Sequence, residues 1–554
     1  MPIWANLDSS RGDVLRRLAA VVACLVLATV TACTGSMEID PGPSSPPPEP
    51  RPAAQAKLPE SGSTLVPSTD PTALALAASD MLFEVARVVV LAPVADEAAL
   101  ARASSIAIAL GVPVLPTGAD DQAVGEEILR LSATTLLPVG DVDLDSYDLT
   151  SMNVQPVPDD AAAVAELLDV EVSDAGADLP ADVPALAALE QGQMMAGPAG
   201  APSAAGHMPE TLPSERVEGV RVLADGNQSQ LAAVGTSRAA GATVTVLDGD
   251  PRASVDLFDH GEPTDAIVGL GTGFGDSETF TWQAETALTG VQLPGGGQFA
   301  FDRTRYVALY GSPVTASLGV LGEQGTAATV DRAADLAGRY QQLTDDVVVP
   351  TLEVIVTVAS GTAGSDGNYS NEWPAEEFVP LIEAAHEAGQ YVVLDFQSGR
   401  TNFLDQVREY ADLLAYPHVG IALDPEWRLG PDERPLEQIG SVGIDEVNAV
   451  IEYVADFVRE NRLPQKIVMV HQFRTDMVRN REDMDTSRSE VAIVLHADGH
   501  GTPEQKDATW RNVREDAPDG VYWGWKNFYD EDDPTLTSRE TYEIDPVPDF
   551  VSYQ

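Results

Sequence analysis

The stretch "IALDPEW" (421–427) sets Asp424 and Glu426 two residues apart at the end of an apolar run, with Trp427 beside them. On an extended chain, residues i and i+2 face the same side, so the two carboxyls are expected to share one space, with Cβ atoms roughly 7 Å apart. Carboxyls held that close do not both ionise readily, and one pKa rises towards the range a general acid needs. Pro425 has no N–H for a β-ladder and marks where regular pairing stops. Trp427 supplies an apolar platform for a sugar ring. The chemistry these residues suit is proton transfer.

Other apolar runs in this half of the chain also end in polar or aromatic groups: "RYVALYG" (305–311), "YVVLDFQ" (391–397), "KIVMVHQ" (466–472), "VAIVLHAD" (491–498) and "VYWGWK" (521–526). Their ends carry Tyr310, Asp395, Gln397, His471, Gln472, His496, Asp498, Trp523, Trp525 and Lys526. A polar group buried without a partner costs a few kcal/mol. Such a recurrence therefore implies either a shared site or a cap in which the groups satisfy one another. As a site, Glu426, Asp424 and Asp395 are the catalytic candidates. Gln397, Trp427, His471, Trp523, Trp525 and Tyr310 are the candidates for holding substrate. A metal reading stands beside this one. In "HADGH" (496–500), His496, Asp498 and His500 alternate, and with His471 and Asp424 they offer nitrogen and oxygen ligands to a divalent metal. A third reading is a binding or scaffold barrel without turnover.

These residues need a frame that brings strand ends together. Adding "LEVIVTVA" (352–359), "VGIALD" (419–424) and "DFVSYQ" (549–554), with helical stretches at 328–342, 375–388, 402–415, 443–462 and 503–515, gives the alternation of a (β/α)8 barrel over 300–554. Near-continuous apolar strands suit a parallel sheet buried on both faces. A doubly wound open sheet satisfies the same alternation. No helix is evident after 466–472 or between the last two strands. In a barrel of this kind, chemistry sits at the C-terminal strand ends.

Upstream, "ARVVVLA" (86–92), "VPVLPTG" (112–118) and "TTLLPVGD" (134–141) alternate with helices at 96–111 and 123–132. The pattern returns with strands at 219–225, 242–250 and 265–275 around a helix at 230–241. This implies a small parallel-sheet α/β domain over 73–275. The "VVVLA" strand, Ala-rich helix and "VPVLPT" strand resemble putative cell-wall-binding repeats of bacterial surface proteins, over roughly 80–275. That resemblance implies contact with a cell wall. Gly269, Gly271, Gly273 and Gly275 do not have the dinucleotide spacing.

The "HVGIALDPEW" stretch (418–427) is similar to the end of the fourth strand in chitinase-type glycoside hydrolases, which closes with Asp-x-Glu; family-25 lysozymes use a comparable pair. The resemblance implies that Glu426 is the proton donor and that Asp424 orients an N-acetyl group or holds the proton balance. Gly420 and Ala422 stand where the chitinases carry further acidic residues, and "HADGH" replaces their tyrosine and aspartate pair.

The N-terminus has a basic lead (Arg11, Arg16, Arg17), an apolar core from Leu18 to Val30, and "VTAC" ending at Cys33. The core is too short for a comfortable membrane span. "VTAC" resembles the lipobox of bacterial lipoproteins, in which the cysteine is lipidated and becomes the mature N-terminus. Residues 1–33 are thus expected to be a signal peptide, and 34–72, rich in proline and serine, a disordered tether. Cys24 lies in the discarded core, so the mature chain has no partner for Cys33 and no internal disulfide. The expected place is the extracytoplasmic face of the cell membrane, with the lipid as the anchor. A net charge of −55 opposes nucleic-acid binding. The partner expected is a cell-wall glycan or other polysaccharide. No cofactor is called for unless the metal reading holds. Cys33→Ala should move the protein from membrane to soluble fractions; unchanged membrane retention would rule out the lipid.

Overall fold

The computed structural model describes residues 51–196, 208, 211–254 and 264–554. The expected signal peptide, Cys33 and the first part of the tether lie outside these residues. The rest of the tether is not disordered. Ala54–Ala56 pairs antiparallel with Phe83–Ala86, and Ser63–Val66 lies parallel to Ala266–Leu270. Leu65 packs with Ile267, Phe274 and Phe280. Such short strands leave little periodicity in a proline-rich stretch, and what fixes them is burial against partners remote in sequence.

The first region holds two four-stranded parallel sheets. One runs Val114–Thr117, Val88–Pro93, Thr135–Pro138, Asn153–Val154; the other runs Ser63–Val66, Ala266–Leu270, Val220–Ala224, Thr243–Val246. A single core spans both, through the Ala-rich helices Pro71–Leu82, Glu97–Leu110 and Leu231–Ala240. A Cβ at Gly235 would run into Ser104, so small residues set how closely the last two helices approach. Helix Ser277–Leu288 carries this region past residue 275 and up to the barrel. Its Trp282 packs on Val458 and Leu463, and the Arg252 guanidinium lies 4.4 Å from the Trp282 ring centre.

The barrel strands are β1 (Thr304–Gly311), β2 (Val347–Ala359), β3 (Tyr391–Phe396), β4 (Val419–Leu423), β5 (Lys466–Gln472), β6 (Val491–Ala497), β7 (Tyr522–Asn527) and β8 (Phe550–Tyr553). All pair parallel in sequence order, and β1 pairs with both β2 and β8. That double pairing closes the barrel and excludes the open sheet. The helices are α1 (Thr326–Gln341), α2 (Val379–Glu387), α3 (Phe403–Glu409), α4 (Ile444–Glu460), α5 (Pro503–Arg514) and the short α6 (Ser538–Tyr542) between β7 and β8. After β5 the chain makes tight turns instead of an α-helix, and Val478–Arg479 pairs with Val442–Gly443.

Strand alternation divides the side chains into two cores. Val307, Leu352, Leu394, Ile421, Val468 and Leu495 pack outward against the helices. Tyr306, Val349, Tyr391, Ala422, Met469, Val494 and Phe550 fill the barrel. Its N-terminal end is plugged by aromatic rings: Phe301 stacks on Tyr522 at 4.2 Å, and Tyr306 meets Tyr391 edge-on at 5.2 Å. The small residues at 420 and 422 have a packing reason. A Cβ at Gly420 would press on the Tyr391 hydroxyl and the Ile467 carbonyl. With its lower half filled, the barrel can open for chemistry only at the other end.

Candidate functional site

Moving towards the C-terminal strand ends, the inward positions change from apolar to charged. Glu353 of β2 is fully buried, and its Oε1 lies 2.7 Å from His471 Nε2. His471 Nδ1 lies 2.8 Å from Asp498 Oδ2. Asp498 Oδ1 is 3.3 Å from Lys526 Nζ, which sits 3.5 Å from the centre of the Tyr310 ring. Tyr310 donates its hydroxyl proton to Asp395 Oδ2 at 2.8 Å. One chain of contacts thus links side chains from β2, β5, the end of β6, β7, β1 and β3.

This chain fixes the charges. Burial alone would lower the His471 pKa, but Glu353 and Asp498 grip both ring nitrogens and push it well above its usual value. Burial would raise Asp498, yet Lys526 and His471 hold it far below the carboxylate range. Glu353 also ends low, because His471 outweighs its burial. His496 goes the other way: burial, then the charge on His471, press it down to about 3. It is a neutral ring whose Nε2 meets Ser552 Oγ at 3.1 Å. A Cβ at Gly524 would collide with that ring, which is why β7 has no side chain there.

Above this layer lies a cleft of about 500 Å³, within the usual range of small-molecule sites. Tyr310, Gln397, Asp424, Glu426, Asp498 and Lys526 line its polar side, and Trp427, Phe473, Phe528 and Ile439 its apolar side. Asp424 and Glu426 do meet in one cleft, but not by strand alternation. Asp424 ends β4 and caps a single 3-10 turn, Pro425–Trp427, its Oδ1 accepting the Glu426 N–H at 3.2 Å. Proline ends the ladder and the turn, not the pleat, aims Glu426. Gly440 N–H bonds to Glu426 O at 2.7 Å, and Arg428 pairs with Glu446 at 2.8 Å, holding the turn in place.

These carboxyls are pushed up. Burial and then the Asp498 charge raise half-buried Glu426 to about 7. Burial and then Asp395 raise Asp424 well above its usual value. Burial raises Asp395 to about 6 against the pull of His471. The layer therefore contains a firmly ionised carboxylate, Asp498, interacting with a carboxyl that is half protonated near neutrality, Glu426. Groups driven apart in this way can divide the roles of proton donor and fixed negative charge.

Several expected roles change. Asp395 and His471 are fully buried below the cleft, so His471 is no substrate contact. Gln397 accepts the Ala359 N–H on Oε1 at 3.1 Å and still lines the cleft. Trp523 and Trp525 point the other way, out of the barrel, with their rings against Trp510 of α5. Gly524 and Lys526 take the inward positions of β7, so alternation forces both tryptophans into the outer core. The metal set also fails geometrically. Both His471 nitrogens face carboxylates, and His496 turns Nε2 to Ser552 while its Nδ1 is buried without a partner. Among the described residues, no group of three His, Cys, Asp or Glu is placed to hold a metal ion. Glu353 is the residue missed as a candidate; its signal was a lone carboxylate inside the apolar "TLEVIVTVA".

No protein-family profile matches the chain, and no curated protein does. Among solved structures it is similar to Cwp6 from Clostridium difficile, at 11% identity and a TM-score of 0.29. The match covers 60% of this chain and 62% of that one, less than two thirds of its length. Residue roles rest on the geometry above.

The raised carboxyls have a cost in stability. Between about pH 4 and 7, Asp395 and Glu426 keep protons in the folded state that the unfolded chain has released, so their contribution falls as pH rises. Glu426→Gln removes one share of that penalty. Its melting temperature should exceed the parent's at about pH 8, by the equivalent of about 1–2 kcal/mol after allowing for partial exposure, and match it near about pH 4. Equal melting curves at both pH values would mean that Glu426 ionises freely.

Proposed function

We propose that the barrel mouth binds a cell-wall or extracellular polysaccharide and cleaves a glycosidic bond by proton transfer from Glu426, on a protein held at the outer face of the cell membrane by lipid on Cys33. The observation that carries this reading is the Glu426 carboxyl. It lines the cleft, no side chain of the described residues bonds to it, and it is poised near neutral pH beside ionised Asp498.

In this reading Glu426 protonates the leaving oxygen as the glycosidic C–O bond breaks, and the fixed charge of Asp498 stabilises the positive charge that develops on the sugar. The Glu426 carboxylate left behind takes a proton from the water that adds to that carbon. Asp424, whose pKa burial and then Asp395 raise in the free protein, hydrogen-bonds the substrate. Trp427, Phe473 and Phe528 give the sugar rings an apolar wall. The paired sheets of the first region serve contact with the wall, as their resemblance to cell-wall-binding repeats suggests.

One observation favours a second reading, a receptor without turnover. Both oxygens of Asp498 are engaged, by His471 and by Lys526, so neither is free to act as base or nucleophile. Assays on peptidoglycan, chitooligosaccharides and α- and β-linked glucans separate the two. Hydrolysis by the parent, lowered about 10²–10⁴-fold in Glu426→Gln with binding retained, is the expected result. Binding of one glycan with cleavage of none would make the barrel a receptor.

A further inference from the structure

The cleft holds more acceptor capacity than the protein's own donors fill. Asp424, Glu426 and Asp498 line it against one ammonium, that of Lys526, which is already taken up by Asp498 and the Tyr310 ring. Asp424 is 3% exposed and receives the Glu426 N–H on Oδ1, while no described donor bonds to its Oδ2. Beside it, Asp395 is fully buried and its Oδ1 has no hydrogen-bond partner at all. An unpartnered buried acceptor next to a nearly buried carboxyl at a cleft is an incomplete arrangement, and what would complete it is a cation with hydrogens to give.

We infer that the cleft recognises a glycan bearing free amines, with the protonated amino group of a de-N-acetylated hexosamine seated against Asp424, above the buried carboxyl of Asp395. This rests on the glycan reading and narrows it. An ammonium brings three donors and no acceptor, matching a site with acceptors to spare. An N-acetyl group brings one donor and a carbonyl that needs a donor in return. A docked cation also relieves what burial and mutual repulsion impose on the two aspartates, so Asp424 gives up its proton as the amine arrives. The aromatic wall adds attraction for a cation on a sugar ring. At longer range, the net charge of −55 draws in a polycationic chain and repels a polyanionic one.

The test is calorimetric titration of the full chain, at about pH 6 so that the amine is charged, with hexamers of glucosamine, N-acetylglucosamine and glucose. The glucosamine hexamer should bind at least about tenfold more tightly than the other two, and its affinity should fall with salt. Its binding heat should vary with the ionisation enthalpy of the buffer, because a proton is released. Asp424→Asn should abolish the preference, so that the glucosamine hexamer binds no more tightly than the glucose hexamer. The comparison of hexamers on the parent decides the matter even if that variant fails to fold. Equal or tighter binding of the N-acetylated hexamer would overturn the amine inference and leave the glycan reading standing. Failure of all three to bind would likewise overturn the amine inference, and the glycan reading would then be decided by the peptidoglycan and glucan assays.

Discussion

A positively charged imidazole buried inside a barrel has to be neutralised on the spot, and His471 is neutralised from both sides. Glu353 takes one ring nitrogen and Asp498 the other. Breaking such a pair by removing one partner typically costs about 3–5 kcal/mol, because the remaining charge has no water to turn to. The position of each neighbour follows from this clamp. Asp498 stays an anion because Lys526 and His471 share it. Lys526 is held over Tyr310, and Tyr310 is turned so that its hydroxyl reaches Asp395. The strands that carry these groups must keep their register to keep the charges matched.

The clamp also explains why the cleft carboxyls behave unlike those beneath. The buried cations are spent on Glu353 and Asp498, so little positive charge is left for Asp395, Asp424 and Glu426. Burial then sets their protonation, and each is pushed up. Two tiers of charge result: an ionised, paired one of Glu353, His471, Asp498 and Lys526, and a protonated or poised one of Asp395, Asp424 and Glu426. That gradient is what makes the mouth of this barrel suited to moving protons. The aromatic plug at the opposite end leaves the mouth as the way in to this layer.

Much of the frame was legible because periodicity carries it. Apolar runs ending in polar residues gave the barrel strands to within a few positions, and Asp424, Glu426, Gln397, Tyr310 and Trp427 do share one cleft. Facing direction was less legible. Near the end of β7 the inward position between the two tryptophans is Gly524, pressed on His496, and alternation then turns Trp523 and Trp525 outward onto Trp510. Glu353 was hidden by the opposite problem, a carboxylate so far inside an apolar run that it did not look like an end. The strands Ala54–Ala56 and Ser63–Val66 were invisible because their partners lie elsewhere in the sequence. Glu426 reaches the cleft by a turn that Pro425 announced, though its geometry follows from bonds to Asp424 and Gly440.

The clamp is tested most directly by the ring-nitrogen NMR shifts of His471 in the intact protein, assigned by their loss in a His471→Gln variant. Both nitrogens should carry protons from about pH 5 to about pH 8, since the two carboxylates hold the ring charged far above its ordinary range. A neutral tautomer at about pH 7, with one nitrogen bare, would contradict the account and with it the division of the barrel mouth into a paired tier and a poised one.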